Sequence, residues 1–165
     1  MLDVLLILVV AGLLIYALKR AGVGGASAVE NRAAGQEFLD ANAQKEGVVV
    51  TDSGLQILHL SGSEQGVESE GQRPSATDKV TVHYEGQLID GTVFDSSIKR
   101  GEPISFGLNQ VISGWTEGLQ TMVVGDKAKL FIPPDLGYGN QRAGTIPAGS
   151  VLIFDVELIA IETKG

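Results

Sequence analysis

Residues 151–161 constrain this chain more than any other segment. Leu152, Phe154, Val156, Leu158 and Ala160 fall on one side and Asp155 and Glu157 on the other. A period of two over that length is the signature of a strand with one buried face. Val80, Val82, Tyr84 and Leu88 repeat the pattern against Thr81, His83, Glu85 and Gln87. Asp90-Gly91 then supplies a tight hairpin turn into Val93-Phe94. Residues 127–132 alternate again and stop at Pro133-Pro134, and residues 54–60 form another strand candidate. Among these strands stands one short helical pattern, residues 113–120, in which Trp115 and Leu119 share a face. The expectation is an α+β domain, a twisted antiparallel sheet packed on one short helix.

The chain ahead of this domain reads differently. Residues 61–77 are polar and acidic and read as a long loop inside the domain, because strands flank them. Residues 29–46 have helical composition, with Ala34, Phe38 and Ala41 at helical spacing and Gly47 as the stop. Residues 21–28, AGVGGASA, form a flexible spacer. Residues 4–18 carry no charge and are closed by Lys19 and Arg20. A helix through residues 1–18 is roughly 27 Å long at about 1.5 Å per residue, and snorkelling of the two basic residues covers the gap to a hydrocarbon core of about 30 Å. The domains expected are a transmembrane anchor at 1–20, a spacer and short helical stalk at 21–46, and the α+β domain at 47–165. Ala26-Ser27-Ala28 fits a signal-peptide cleavage pattern, but the positive charges follow the apolar run and Asp3 stands where a basic segment belongs, which favours an uncleaved anchor. Lys19 and Arg20 place the following domain in the cytoplasm by the positive-inside rule.

Composition removes several function classes. The net charge of −8 argues against a nucleic-acid partner, since phosphate binding needs clustered Lys and Arg. With no cysteine, disulfides, thiolate catalysis and Cys-ligated zinc are excluded. His59 and His83 are the only imidazoles and read as exposed strand positions, so no metal is expected. No nucleophile elbow, no H-E-x-x-H and no P-loop occurs, and Arg142 stands where a dinucleotide fingerprint beginning at Gly137 needs its third glycine. No cofactor is expected.

The aromatics are unusually placed. Of nine Phe, Tyr and Trp residues, seven fall between Tyr84 and Phe154, several beside glycine: Phe106-Gly107, Gly114-Trp115, Gly137-Tyr138-Gly139. Aromatics at loop edges can line an accessible pocket, and plain core packing accounts for them equally well.

The ordered blocks Val82-His83-Tyr84-Glu85-Gly86, Asp90-Gly91-Thr92-Val93-Phe94-Asp95-Ser96-Ser97, Val111-Ile112-Ser113-Gly114-Trp115, Val124-Gly125-Asp126-Lys127-Ala128, Ile132-Pro133-Pro134 with Gly137-Tyr138-Gly139, Ile146-Pro147, and Phe154-Asp155-Val156-Glu157-Leu158 closely resemble the FKBP-type prolyl isomerases. The resemblance covers roughly residues 72–162, and the lead-in from Gly35-Gln36-Glu37-Phe38-Leu39 to Ser53-Gly54-Leu55-Gln56 resembles the bacterial macrophage-infectivity-potentiator branch.

The resemblance implies an FKBP-like fold and a peptidyl-prolyl cis/trans isomerase acting on proline-containing polypeptides during folding. It implies an apolar cup lined by Tyr84, Phe94, Trp115, Tyr138 and Phe154 with Val111, Ile112 and Ile146, and Phe106 and Ile104 beside it. Trp115 would form the floor under the proline ring, and the Ile112 N–H and Tyr138 hydroxyl would bind carbonyl groups. Asp95 would be the one acidic group at the rim, in an orienting role, since no basic partner is evident in the sequence. Ile104, Gln110, Arg142 and Thr145, and a shorter 106–111 segment, depart from eukaryotic relatives and bear on sequence preference and on affinity for macrolide immunosuppressants. The resemblance also implies a periplasmic catalytic domain, against the charge rule, so the anchor is expected to be a single inner-membrane span, and it raises a homodimer through helix 29–46. A non-catalytic chaperone or binding module on the same fold is the alternative function.

Overall fold

The structure, a computed structural model, describes residues 27–61 and 71–162. The proposed anchor, almost all of the spacer and the middle of the acidic loop lie outside the described residues. No helix among the described residues is long and apolar enough to cross a membrane.

Ser27 opens the first helix. Its hydroxyl accepts from the Glu30 N–H at 3.2 Å while the Glu30 carboxylate accepts from the Ser27 N–H at 2.9 Å, a reciprocal capping box. Helix α1, Ala28–Asn42, follows. It ends short of the expected Glu46, and its buried face is Gly35, Leu39 and Asn42. Ala34 and Ala41 are exposed, and of the expected stripe only Phe38 turns partly inward. Polar contacts decide this. Asn42 Nδ2 donates to Gln56 Oε1 at 2.8 Å, and Gln56 Nε2 donates to the Leu39 carbonyl at 2.9 Å. A buried amide pair thus satisfies one carbonyl at the helix end and ties the helix to the sheet. Gly35 lets the helix sit close, since a Cβ there would lie 2.6 Å from Val151 Cγ2.

The strands are β1 (Val48–Val50), β2 (Gln56–Ser61), β3 (Lys79–Gln87), β4 (Val93–Ser96), β5 (Ile104–Gly107), β6 (Lys127–Ile132) and β7 (Leu152–Glu162). They form one sheet in the order β1-β2-β6-β7-β3-β4, with β5 also on β3, and every pairing is antiparallel. The two most strongly alternating segments pair at the centre, with Val82 opposite Leu158 and Tyr84 opposite Val156. The free side of β3 is shared: β5 pairs its first half and β4 its second. Among the described residues two further short α-helices occur, α2 (Ser97–Arg100) and α3 (Ser113–Leu119).

The main core lies between one face of the sheet and α3. It includes Leu55, Ile57, Val80, Val82, Leu119, Leu130, Ile132, Leu152, Val156 and Leu158. Glycine makes the helix–sheet approach possible, because a Cβ on Gly114 would lie 2.6 Å from Ile132 and one on Gly118 2.8 Å from Leu130. On the opposite face, α1 covers Phe131, Val151 and Ile153 with Leu39. Beyond that patch the same face turns polar, and Lys129 and Asp155 face each other at 3.5 Å. Hence β7 is buried on both sides at its start and on one side later. The two histidines are half-buried, not exposed. His83 Nδ1 lies 2.9 Å from Ser97 Oγ, and burial lowers the His59 pKa against an opposing pull from Asp126.

Candidate active site

The site opens at the end of the sheet where β3, β4 and β7 meet the N-terminus of α3. Tyr84 and Phe154 come from neighbouring central strands, and Phe94 from the edge strand β4. Gly86 sits between the last two, opposite Phe154 on one side and Asp95 on the other. A Cβ at Gly86 would lie 2.6 Å from both rings, so only glycine lets Phe94 and Phe154 close over β3. They meet edge to face at 5.4 Å and 85°. Trp115, in the first turn of α3, lies at the centre. Its ring is 5.1 Å from Tyr84 and 5.0 Å from Phe154, edge-to-face arrangements that suit the ring quadrupoles, and 5.2 Å from Phe106 in a tilted one.

These rings border a cavity of about 630 Å³. Tyr84, Phe94, Asp95, Ile104, Phe106, Val111, Ile112, Trp115, Tyr138, Ile146 and Phe154 all line it. The structure therefore brings every site residue expected from the sequence to one cavity. It adds Gln110, Ala143, Gly144 and Thr145. Tyr138 differs from the other aromatics, since it is 44% exposed and stands on the rim. Trp115 is buried, and among the described residues its Nε1–H has no hydrogen-bond partner.

The polar edge of the cavity is a three-residue network. The Tyr84 hydroxyl donates to one Asp95 oxygen and Arg100 Nη1 donates to the other, while Arg100 Nη2 donates to the Tyr84 hydroxyl at 3.0 Å. Asp95 therefore has the basic partner that the sequence hid. The turn from Asp95 to Arg100 is built locally. Ser96 caps α2 by accepting from the Lys99 N–H at 3.1 Å, and Gly101 ends it at φ 75°. Buried Ser97 holds α2 to β3, accepting from the Tyr84 N–H at 2.8 Å. Ser96, Ser97 and Arg100 give no periodic signal, and the Asp-x-x-x-x-Arg spacing acquires meaning only once α2 folds the chain back.

Charge at the site follows from these contacts. Burial pushes the Asp95 carboxyl up, but hydrogen bonds from Tyr84 and Arg100 outweigh it and hold the pKa below the usual value. Burial, then the hydrogen bond to Asp95, pushes the Tyr84 phenol up. The folded pKa of Asp95 lies below its unfolded value, so its contribution to stability is complete above about pH 4 and is lost as acid protonates it. Tyr84 stays neutral past about pH 10. The activity of the cavity is accordingly expected to be flat from about pH 5 to 9 and to fall only in stronger acid. A pH–rate profile with a break near 6.5, the imidazole range, would contradict this.

Comparison with known proteins follows the same lines. The family model "FKBP-type peptidyl-prolyl cis-trans isomerase" matches residues 70–159, and "Domain amino terminal to FKBP-type peptidyl-prolyl isomerase" matches residues 17–57. The FKBP-type isomerase FkpA of Aeromonas hydrophila is 58% identical over 136 residues, 82% of this chain and 48% of that protein. The "Outer membrane protein MIP" of Legionella longbeachae is 44% identical over 145 residues, 87% of this chain and 60% of its own length. The chain thus spans about half to three fifths of the curated relatives it matches. A solved peptidyl-prolyl cis-trans isomerase of Pseudomonas syringae superposes with a TM-score of 0.75 at 35% identity, covering 85% of this chain and 99% of that one. Carrying the family's sequence model over most of its sheet and its fold at this identity, the chain belongs to the FKBP-type peptidyl-prolyl cis-trans isomerases.

Proposed function

We propose that this chain accelerates rotation about X–Pro bonds in polypeptides, by removing the amide from water and fitting its twisted form. One observation carries the reading: an aromatic cavity whose only acidic lining group among the described residues, Asp95, is already neutralised by Arg100. Such a site offers little for proton or acyl transfer and much for an uncharged ring. The barrier to be lowered is roughly 18–20 kcal/mol. Water favours the planar, charge-separated amide, so transfer to an apolar cup weakens the ground state relative to the twisted form. In this reading Trp115 is the floor for the proline ring, and Phe94, Phe154, Val111 and Ile146 are its walls, with Phe106 and Ile104 beside them. The Tyr138 hydroxyl and the Ile112 N–H hold carbonyl groups. Ile112 is the N-cap of α3, and amides at the start of a helix lack intrahelical acceptors. Asp95 and Arg100 orient Tyr84. A protease-coupled assay on a proline peptide tests the proposal. A rate equal to buffer, with the peptide still bound, would replace it by the non-catalytic binding module.

Three finer readings accompany it. Macrolide immunosuppressants are a ligand class for the same cavity, checked by titration on Trp115 fluorescence. Residues 1–20 act as a single-pass inner-membrane anchor with the domain in the periplasm, supported by the apolar run. A fusion to alkaline phosphatase after Gly165 reads that topology. Self-association through α1 would have to use its outer face, where Val29 is 77% exposed, since the inner face is committed to the sheet. Sedimentation of the folded chain decides it.

A further inference from the structure

The segment 137–150 carries Tyr138, Ala143, Gly144, Thr145 and Ile146, one whole wall of the cavity. It buries little of itself: within it only Ile146 and Gly149 are buried, and Asn140, Gln141, Arg142, Gly144 and Thr145 are exposed. Its internal bonds are few. Gly149 N–H donates to the Gly139 carbonyl at 2.8 Å, and Ala143 and Ile146 exchange bonds at 3.1 and 2.8 Å. Gln141 N–H donates to the Tyr138 carbonyl at 3.2 Å and Ser150 Oγ to the Pro147 carbonyl at 2.6 Å, while Gly137 and Gly139 N–H donate back to the Pro134 carbonyl. A segment so poorly anchored in the core opens locally at small cost unless something else holds it.

Helix α1 holds it. Arg32 Nη2 donates to Asp135 at 2.7 Å and Arg32 Nε donates to Asn140 Oδ1 at 2.5 Å. One guanidinium therefore links the 3₁₀ turn Pro134–Leu136 that precedes the segment to the segment itself. One residue earlier, Asn31 Nδ2 donates to the Ala148 carbonyl at 2.8 Å, at the segment's far end. Next to it Gly149 packs on the helix start, so closely that a Cβ there would lie 2.5 Å from the Ala28 carbonyl oxygen. Both feet of the cavity wall thus stand on the first turns of α1. The helix is itself seated by Gly35 on Val151 and by the Asn42–Gln56 pair.

We propose that α1 braces the cavity wall, with Arg32 and Asn31 as positioning residues for Tyr138 and Ile146. This rests on the isomerase reading of the cavity. Neither residue touches substrate. Each sets where the wall stands when substrate arrives, so its loss raises KM and leaves kcat nearly unchanged. Lysine at position 32 keeps the charge but not the fork that reaches Asp135 and Asn140 together.

The test uses the full chain and two readouts. In Arg32→Ala, exchange of the Ile146 and Gly149 amides is expected to speed about fivefold, the scale of one lost exposed ion pair with its hydrogen bonds. Amides of β3 and β7 keep their protection. KM for a proline peptide rises by about the same factor with kcat within twofold, and Arg32→Lys recovers part of both. Gly35→Val, which forces α1 off Val151 without touching the segment, moves both readouts the same way. Unchanged exchange at Gly149 in Arg32→Ala overturns the brace. Faster exchange with unaltered KM overturns the positioning role. A wild-type rate equal to buffer sinks the isomerase reading alone, and exchange still decides whether α1 holds the wall.

Discussion

Phe94→Ala is expected to lower kcat/KM for a proline peptide by about 100-fold, close to 2.7 kcal/mol of transition-state stabilisation, while the domain stays folded. Phe94 is half-buried on the edge strand β4, and among the described residues its one close ring contact is Phe154 at 5.4 Å. Removing it opens the cavity to water from the side. A site that works by withholding water from an amide loses its effect when a wall is breached, whereas a site that works by proton transfer would not. The cost to folding stays below about 2 kcal/mol, because the ring is already partly solvated. The same wall can be moved without deleting it. A methyl group at Gly86 would lie 2.6 Å from Phe94 and Phe154, so Gly86→Ala reduces activity in the same direction. Initial rates at matched folded fraction, judged by far-UV circular dichroism, decide the matter. Phe94→Ala activity within threefold of wild type would remove desolvation from the mechanism.

Trp115→Ala is expected to be a stability variant first. Trp115 is 5% exposed and touches Tyr84, Phe106 and Phe154, so truncation leaves a large void where three rings converge. The loss is about 3–5 kcal/mol, a fall in Tm on the order of 10–20 °C for a domain of this size. No hydrogen bond is sacrificed, because among the described residues the indole N–H is unpartnered. The loss is therefore packing alone, and Trp115→Phe recovers much of it. Urea unfolding followed by circular dichroism measures it. A change below about 1 kcal/mol would show that the floor of the cavity is not part of the core.

The two variants separate the roles that one cluster of aromatics combines. From composition alone, pocket and core explain the rings equally well, and the structure shows both at once. Trp115, Tyr84 and Phe154 are buried core residues that also face the cavity. Phe94 and Phe106 pack against that core from the partly exposed side, and Tyr138 stands on the rim.

Periodicity is a local property, so the central strands were readable. Val80 to Leu88 and residues 151–158 declare a buried face by alternation and pair at the middle of the sheet, whereas a register shift beyond Leu158 sets Ile161, not the expected Ala160, opposite Val80 and against the core. Asp90-Gly91 declares its turn, and Gly91 adopts φ 87°. The ordered motifs carry the resemblance to the FKBP-type isomerases, and that resemblance, not any distance visible in the sequence, implies the cavity residues. β5 gives no signal in the sequence, since Ile104–Gly107 is too short to establish a period. The helix was legible in kind but not in face. Ala34, Phe38 and Ala41 form the stripe that hydrophobicity selects, yet Gly35, Leu39 and Asn42 are buried. Close approach to Val151 favours the residue with no side chain, and the amide pair with Gln56 outweighs an alanine's small apolar area.

The sequence by itself therefore determined the alternating strands, because a period of two depends only on residue type along the chain. Its ordered motifs carried the family resemblance that implies most of the cavity lining, while Gln110, Ala143, Gly144 and Thr145 join that lining only in the structure. Only the tertiary structure decided that Arg100 neutralises Asp95, that Gly86 makes room for two rings, and that Arg32 and Asn31 reach the cavity wall from α1. Those contacts join residues through turns and across elements, and their energies depend on distances in space that no local pattern encodes.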